Sequence, residues 1–258
     1  MLAVSRQRMI VEMLQKKGAV KVSELSELLQ VSEKTIREDL EKLEDKGILR
    51  RIHGGAVLAE DDGIAPVLGS AATQASVRLK EKEAIAEHAV AHIREGDIIA
   101  LDGGSTTLQI AVRLRNEPLT VVTNDVLIIR ELAAKEHIRL VVPGGYRHRN
   151  LLTIQGQWNW LRKLNIHKLF LSTTGIHVEY GLTIFTEEHV ALKRLLIECS
   201  REIFCVADHS KFDKGALLTF AALEQIDTII TDYGLAPEVA DKYRALGVHV
   251  EIAESKTQ

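Results

Sequence analysis

The chain is short of aromatic residues: Phe, Trp and Tyr make up 4% of its 258 residues. Since 46% of the residues are hydrophobic, the interior must be aliphatic. That suits an α/β core and excludes disorder as the default state. Cysteine is scarce as well. The two cysteines are Cys199, near the end of a helical stretch, and Cys205, inside an apolar run. They form no metal-type pair, so they are read as buried reduced thiols. No apolar run approaches the ~20 residues of a membrane span. The opening, MLAVSRQRMIVEML, is too charged for a signal-peptide core. The expectation is a soluble, cytoplasmic protein with no membrane partner. A strong positive excess is missing too: the net charge is −3, unlike many small DNA binders. A mild split lies beneath that total. Residues 1–58 carry 11 Lys and Arg against 9 Asp and Glu, net +2, which leaves −5 for the remainder.

What is present begins with helical spacing. In SRQRMIVEMLQKK (5–17), Ile10, Val11, Met13 and Leu14 share one face, and Gly18 ends the helix. Ser23 is expected to cap a second helix whose stripe is Leu25, Leu28 and Leu29. After Gln30-Val31-Ser32, a third helix is expected over 33–46, with Ile36, Leu40 and Leu43 buried and Gly47 as its stop. ILRRIHGGAVL then reads as a two-stranded hairpin. Residues 59–76, AEDDGIAPVLGSAATQAS, read as a linker. From Val77 onward, short apolar runs (DIIALD, LTVVT, IRLVV, HKLFLS, EIFCVA, DTIITD) alternate with helical stretches. That alternation implies a mostly parallel sheet covered on both faces. The expected organisation is an α+β winged helix-turn-helix domain (1–58), a linker (59–76) and an α/β sensor domain (77–258).

Three helices with a tight turn before the third describe a helix-turn-helix, whose third helix enters the major groove with its N-terminal residues leading. Those residues are Ser32, Glu33, Lys34, Thr35, Arg37 and Glu38, with Ser32 also capping the helix. Arg37 offers a fork for guanine, and Lys34 and Thr35 offer phosphate or base contacts. Arg50, Arg51 and His53 make a basic wing, and Gly54 and Gly55 let its backbone turn sharply. Glu38, Asp39, Glu41, Glu44 and Asp45 argue the other way. On spacing alone, a plain three-helix bundle with a solvated charged face stays open.

The second informative stretch is DIIALDGGSTTLQIAVRL. A strand runs into Asp102; then Gly103, Gly104, Ser105, Thr106 and Thr107 open a helix. Glycines allow close backbone approach, the helix start presents free N–H groups and partial positive charge, and hydroxyls add donors. A phosphate suits such a cradle, although an ordinary strand–turn–helix has the same spelling. It is neither a P-loop nor a dinucleotide fingerprint. Further polar groups follow other strands: Thr123 and Asn124; Gly144, Gly145 and Arg147; Thr173, Thr174 and Gly175; Asp208, Ser210 and Lys211. Ligands bind at the carboxyl ends of such strands, and this mixture suits a phosphorylated sugar or polyol. No cofactor, metal set or catalytic residue is assigned.

VSEKTIREDLEKLEDKG followed by RIHGGA resembles the winged-helix signature of the DeoR family of bacterial sugar-metabolism regulators. LDGGSTT, VVTN, the Gly-Gly before Arg147, LKR at 192–194, VADHSKF and IDTIITD resemble that family's sensor domain. The resemblance implies a fold related to sugar-phosphate isomerases such as ribose-5-phosphate isomerase. It also implies a phosphosugar effector on the GGSTT loop, with contacts from Lys211, Arg147 and Lys193. Many members carry Asp-Gly where this chain has Thr174-Gly175. With the Asp-His-Ser-Lys-Phe run, that departure is similar to the inositol-catabolism branch.

The expected function is a repressor of a carbohydrate-catabolism operon, bound to double-stranded operator DNA as a dimer or tetramer and released by a phosphosugar. An activator needs the same modules with the opposite sign of coupling. A sugar-phosphate isomerase would need Asp208 and Lys211 as base and electrophile, and Thr174 in place of Asp removes an obvious second acid. WNW (158–160) reads equally as an oligomer surface or as part of a half-buried helix.

Overall fold

The structure is a computed structural model that describes residues 6–7, 9–11, 13–14, 19–45, 49–52, 54–58, 78–148, 151–153, 160–185 and 187–255. Gly18, Gly47, His53, Trp158 and the expected linker lie outside these residues. The chain divides into two compact units, Met1–Val77 and Arg78–Gln258.

In the first unit the described residues between 6 and 14 are helical. Next come strand β1 (Ala19–Lys21), helix α1 (Val22–Leu29), helix α2 (Glu33–Asp45) and strands β2 (Leu49–Ile52) and β3 (Gly55–Leu58). Ile10, Leu14, Leu25, Leu29, Ile36, Leu40 and Leu43 close one aliphatic core. Each such side chain contributes about 1.5–3 kcal/mol by leaving water. Leu28, expected in the stripe, is 58% exposed. Ser23 caps nothing: α1 begins one residue earlier, with Lys21 at the cap position and no side-chain cap. The amide of Val22 instead donates to the Gly54 carbonyl, 2.9 Å away. The wing is three-stranded rather than two-stranded, in the order β1-β3-β2, because the segment Ala19–Lys21 pairs antiparallel with β3.

The second unit carries a seven-stranded sheet. Its strands are β4 (Ile98–Leu101), β5 (Leu119–Val122), β6 (Ile138–Val141), β9 (Ile166–Leu171), β12 (Ser200–Val206), β14 (Thr228–Asp232) and β15 (His249–Ala253). They lie in the order β15-β14-β12-β9-β4-β5-β6, and every neighbouring pair is parallel. Alternate side chains enter two cores, as a two-sided sheet requires. Ile99, Leu101, Phe170, Phe204, Val206 and Ile230 meet helices α3 (Leu79–Val90), α4 (Ser105–Arg113) and α5 (Val126–Leu132). Ala100, Leu169, Leu171, Cys205 and Ile229 meet helices α6 (Glu187–Glu198) and α7 (Pro237–Arg244). That second core also takes a small antiparallel sheet, β10 (Gly175–His177), β11 (Gly181–Ile184) and β13 (Leu218–Ala221). A hairpin of β7 (Tyr146–His148) and β8 (Leu151–Thr153) follows β6.

The topology sets the position of a site. From β4 the chain builds outward through β5 and β6, then returns to place β9 on the other side of β4. The connections therefore leave the carboxyl edge in opposite directions between β4 and β9. A crevice opens at such a switch point.

Candidate nucleic-acid interface and ligand site

The turn into α2 is built locally. Gln30 adopts a left-handed conformation and closes α1. The Ser26 hydroxyl donates to the Val31 carbonyl at 2.6 Å. Ser32 caps α2, accepting from the Thr35 amide at 3.2 Å. Ser32, Glu33, Lys34, Arg37 and Glu38 are exposed and Thr35 is half-buried, so the leading turn stands clear of its core. Arg37 is paired with Glu33, one turn back, at 2.6 Å. Both side chains are largely exposed, and such a pair is worth about 0–1 kcal/mol. Redirecting the guanidinium to a base therefore costs little.

The acids of α2 separate by role. Asp39 does not face outward: it is 1% exposed and pairs with Arg6 of the leading helix. Gln7 donates to its second oxygen at 3.2 Å. Glu44 accepts from the Arg51 amide at 2.8 Å and from its Nε at 2.6 Å. The Arg51 amide and guanidinium hold the Glu44 carboxyl below the usual carboxylate range, against a smaller opposing effect of burial. Arg51 thus ties the wing to α2, while Arg50 lies on β2 beside it. Gly54 makes the wing turn, with φ +78°. Gly55 serves a different need from the one expected: a Cβ there would meet the Val20 carbonyl oxygen at 2.1 Å. It is the close approach of β1 that requires a glycine at 55.

At the carboxyl edge of the second unit, Asp102 follows β4 and Ser172 follows β9. The Asp102 carboxylate accepts from the Ser172 amide at 2.9 Å and from its hydroxyl at 2.7 Å. Lys193, on α6, pairs with the same carboxylate and donates to the Ser172 carbonyl at 2.9 Å. Lys193 is 5% exposed and Asp102 3%. This cluster fastens the switch point. Ser172 is not among the residues expected from the sequence, because its role comes from Asp102, 70 residues away in the chain.

Gly103 and Gly104 lead from that cluster into α4. No side chain caps this helix. Its far end is occupied: Lys135 donates to the carbonyls of Ala111 at 2.7 Å and Leu114 at 2.9 Å. A helix start carries N–H groups without intrahelical partners and a partial positive charge. Ser105 is half-exposed there, whereas Thr106 and Thr107 are buried. The Thr107 hydroxyl donates to the Gly104 carbonyl at 2.9 Å, so it braces the turn. Leu151 of β8 covers the loop; a Cβ on Gly103 would lie 2.0 Å from its Cδ2. The hairpin is held there by Asn124, whose carbonyl accepts from Leu152 at 2.8 Å and whose amide donates to the Leu152 carbonyl at 3.1 Å. Thr123 accepts from the Asp125 amide at 3.2 Å. Gly144 and Gly145, both at positive φ, turn the chain from β6 toward the hairpin strand bearing Arg147.

Thr173 donates to the carbonyls of Gly175 and Thr183 at 2.9 and 3.1 Å, and the Thr174 amide bonds to Thr183 at 3.1 Å. Together with Gly175, which opens β10, they bind the small sheet to the end of β9. Asp208, after β12, accepts from the amide and hydroxyl of Ser210, and Arg78 lies 3.9 Å away. Burial pushes this carboxyl up, but the Ser210 bonds and the charges of Lys211 and Arg78 outweigh it and hold it below the usual range. His209 Nδ1 lies 2.7 Å from the buried carboxylate of Asp232 at the end of β14. Arg78 carried no periodic or motif signal that would have found it; His209 and Asp232 lie inside the VADHSKF and IDTIITD runs, but their pairing across 23 residues needed the fold. Trp160 is 44% exposed and leads only a short 3-10 turn, 161–163.

A helix-turn-helix with a wing, followed by a parallel α/β unit with a polar switch point, is the arrangement of transcription regulators that join a DNA reader to a sensor. The model described as the DeoR-like helix-turn-helix domain matches residues 6–62, and that of the DeoR C terminal sensor domain matches 77–233. The chain belongs to the DeoR family. The HTH-type transcriptional regulator GlpR of Haloferax volcanii is 34% identical over 253 residues, 97% of this chain and 98% of that protein. A putative aga operon transcriptional repressor of Escherichia coli O157:H7 is 32% identical, covering 95% and 92%. IolR of Bacillus subtilis is 31% identical, covering 90% and 93%, much the same level as the other two. Among solved structures, ribose 5-phosphate isomerase A from Methanocaldococcus jannaschii aligns over 51% of this chain and 53% of its own. Its TM-score is 0.37 and its identity 16%. No described helix is long and apolar enough to cross a membrane.

Proposed function

We propose that this DeoR-family regulator is a cytoplasmic repressor of a carbohydrate-catabolism operon, released from double-stranded operator DNA by a phosphorylated sugar or polyol. The observation that carries the effector assignment is the α4 start at the switch point. It is reached through two glycines, no side chain caps it, and the opposite end of the helix is occupied by Lys135. A phosphate on the first-turn amides, with the Ser105 hydroxyl, completes that helix electrostatically. The polyol then extends toward Thr174 and the Arg78–Asp208–Lys211 group. The repressor sign draws on the name of the aga relative. The chain acts as a homo-oligomer, so that two α2 helices meet paired half-sites. The effector is bound and not turned over: Asp208 is engaged by Ser210, and Asp102 by Lys193, so neither stands as an unengaged base.

Effector and operator communicate through a coupling free energy: a ligand favouring the DNA-incompetent state weakens DNA binding. The test is fluorescence anisotropy of labelled operator at fixed salt, with sugar phosphates each beside its unphosphorylated parent. Release by one phosphosugar and not by its parent is expected. Tighter DNA binding would reverse the sign to activation. Conversion of the sugar phosphate, followed by NMR, would make the sensor unit an enzyme.

A further inference from the structure

The histidines of the α3 end take no part in either site. His88 lies in the last turn of α3 and His92 in the turn that follows it, with the His92 amide donating to the Ala89 carbonyl at 3.1 Å. Across from them, edge strand β15 presents Glu251. His88 Nε2 lies 2.7 Å and His92 Nε2 2.9 Å from the same carboxylate oxygen. One ligand atom from each of the three lies within 4.8 Å of the others. The His92 ring packs against Phe204 of the core, with centroids 4.8 Å apart. His249, two residues before Glu251 on the same strand face, places Nε2 3.2 Å from the second carboxylate oxygen. All three principal groups are half-buried.

The geometry points to a site for a divalent transition metal of the zinc class, held by His88, His92 and Glu251. Two imidazoles already converge on one carboxylate. With each imidazole carrying its proton on Nδ1, the two Nε2 lone pairs meet one cation at about 2.0–2.1 Å from each nitrogen, which completes a two-histidine, one-carboxylate set with water in the remaining position. Imidazole disfavours calcium and magnesium, which take oxygen ligands, and no thiolate is present to select copper(I) or an iron–sulfur cluster. The site is separate from the effector crevice. Arg78, just ahead of α3, stands beside Asp208 at the carboxyl edge, and His88 lies about 15 Å further along the helix. Its partner Glu251 is 163 residues away in the chain. A bound cation would staple the outermost strand, paired only with β14, to the first helix of the unit.

The test uses the full chain stripped by chelator and titrated with Zn2+ by calorimetry and with Co2+ by visible absorption. One saturable site per chain is expected. Binding should be lost in His88→Gln and His92→Gln, weakened roughly tenfold or more in Glu251→Gln, and unchanged in the exposed control His137→Gln. In the unsubstituted chain, Zn2+ should shield His88 and His92, but not His137, from histidine acylation, read by peptide mass. Absence of saturable binding, equal binding in the His88 and His92 variants, or acylation of both residues at full Zn2+ occupancy would overturn the assignment. The cluster would then be hydrogen-bonded only.

Discussion

Single side chains in this protein have clearly separated tasks, and substitution should expose them. Arg37 stands on the leading turn of α2 with only an exposed glutamate partner. Arg37→Ala should lower specific operator affinity about 5- to 150-fold, the range of one bidentate base contact at about 1–3 kcal/mol, and barely move the melting temperature. Unchanged affinity at fixed salt would remove it from the reading surface. Asp97, ahead of β4, illustrates a charge used for stability. Burial pushes its carboxyl up, but Lys168 at 2.6 Å, the Arg94 amide and His167 prevail and hold it below the usual 3.8. A carboxyl more acidic folded than unfolded contributes fully above its unfolded value and loses that contribution as the pH falls through its folded value. Asp97→Asn should therefore lower denaturant stability at pH 7, with the gap to the parent chain closing below pH 3.8. A gap independent of pH would mean the carboxylate charge is not the cause. Burial likewise pushes the Cys205 thiol up to about 12, in keeping with an inert core cysteine.

At the scale of elements, the wing offers a comparison between adjacent glycines. Gly54→Ala must place a side chain at positive φ, a cost of about 1–2 kcal/mol. Gly55→Ala must instead separate β3 from the Val20 carbonyl. It should lower the melting temperature of the reader by more, and equal losses would deny the β1–β3 approach. These elements also mark what the sequence made legible. The long 3.6-residue pattern of α2 stood out because its apolar face is buried from Ile36 to Leu43, and the apolar runs of β4, β9, β12 and β14 because at least three successive residues of each are buried. Strand β1 did not, because three residues hold no period and its pairing comes from a segment over thirty residues away. Asp39 was counted among outward acids, since nothing local records that Arg6 meets it inside. Leu28 was the converse: its spacing fits the stripe, but it lies at the margin of the face. The polar switch-point residues Asp102 to Thr107 were legible as a motif. The buried pairing of Asp102 with Lys193 needed the fold, because 91 residues separate the two.

For the whole molecule, the two functions are joined by thermodynamics. If a phosphosugar weakens operator binding by some factor, operator DNA must weaken phosphosugar binding by the same factor. Calorimetric titration of the effector into the free protein and into the operator complex should give matching ratios. A mismatch would mean that the released state is something other than the effector-bound form. At a hundredfold excess over its dissociation constant, the effector should also stabilise the chain by about 2.7 kcal/mol.

The order of strands in the large sheet bears on synthesis as well as on binding. β4 occupies the middle of the sheet, yet β9, its neighbour on one side, begins 65 residues after β4 ends. At translation rates of about 5–20 residues per second, that interval lasts about 3–13 s. During it, β4, β5 and β6 can pair, but the flank of β4 that receives β9 remains an open hydrogen-bonding edge with the apolar Ile99, Ala100 and Leu101 along it. Nascent chains of this protein therefore spend seconds with the centre of their future sheet exposed as a border, the interval in which a chaperone has most to protect.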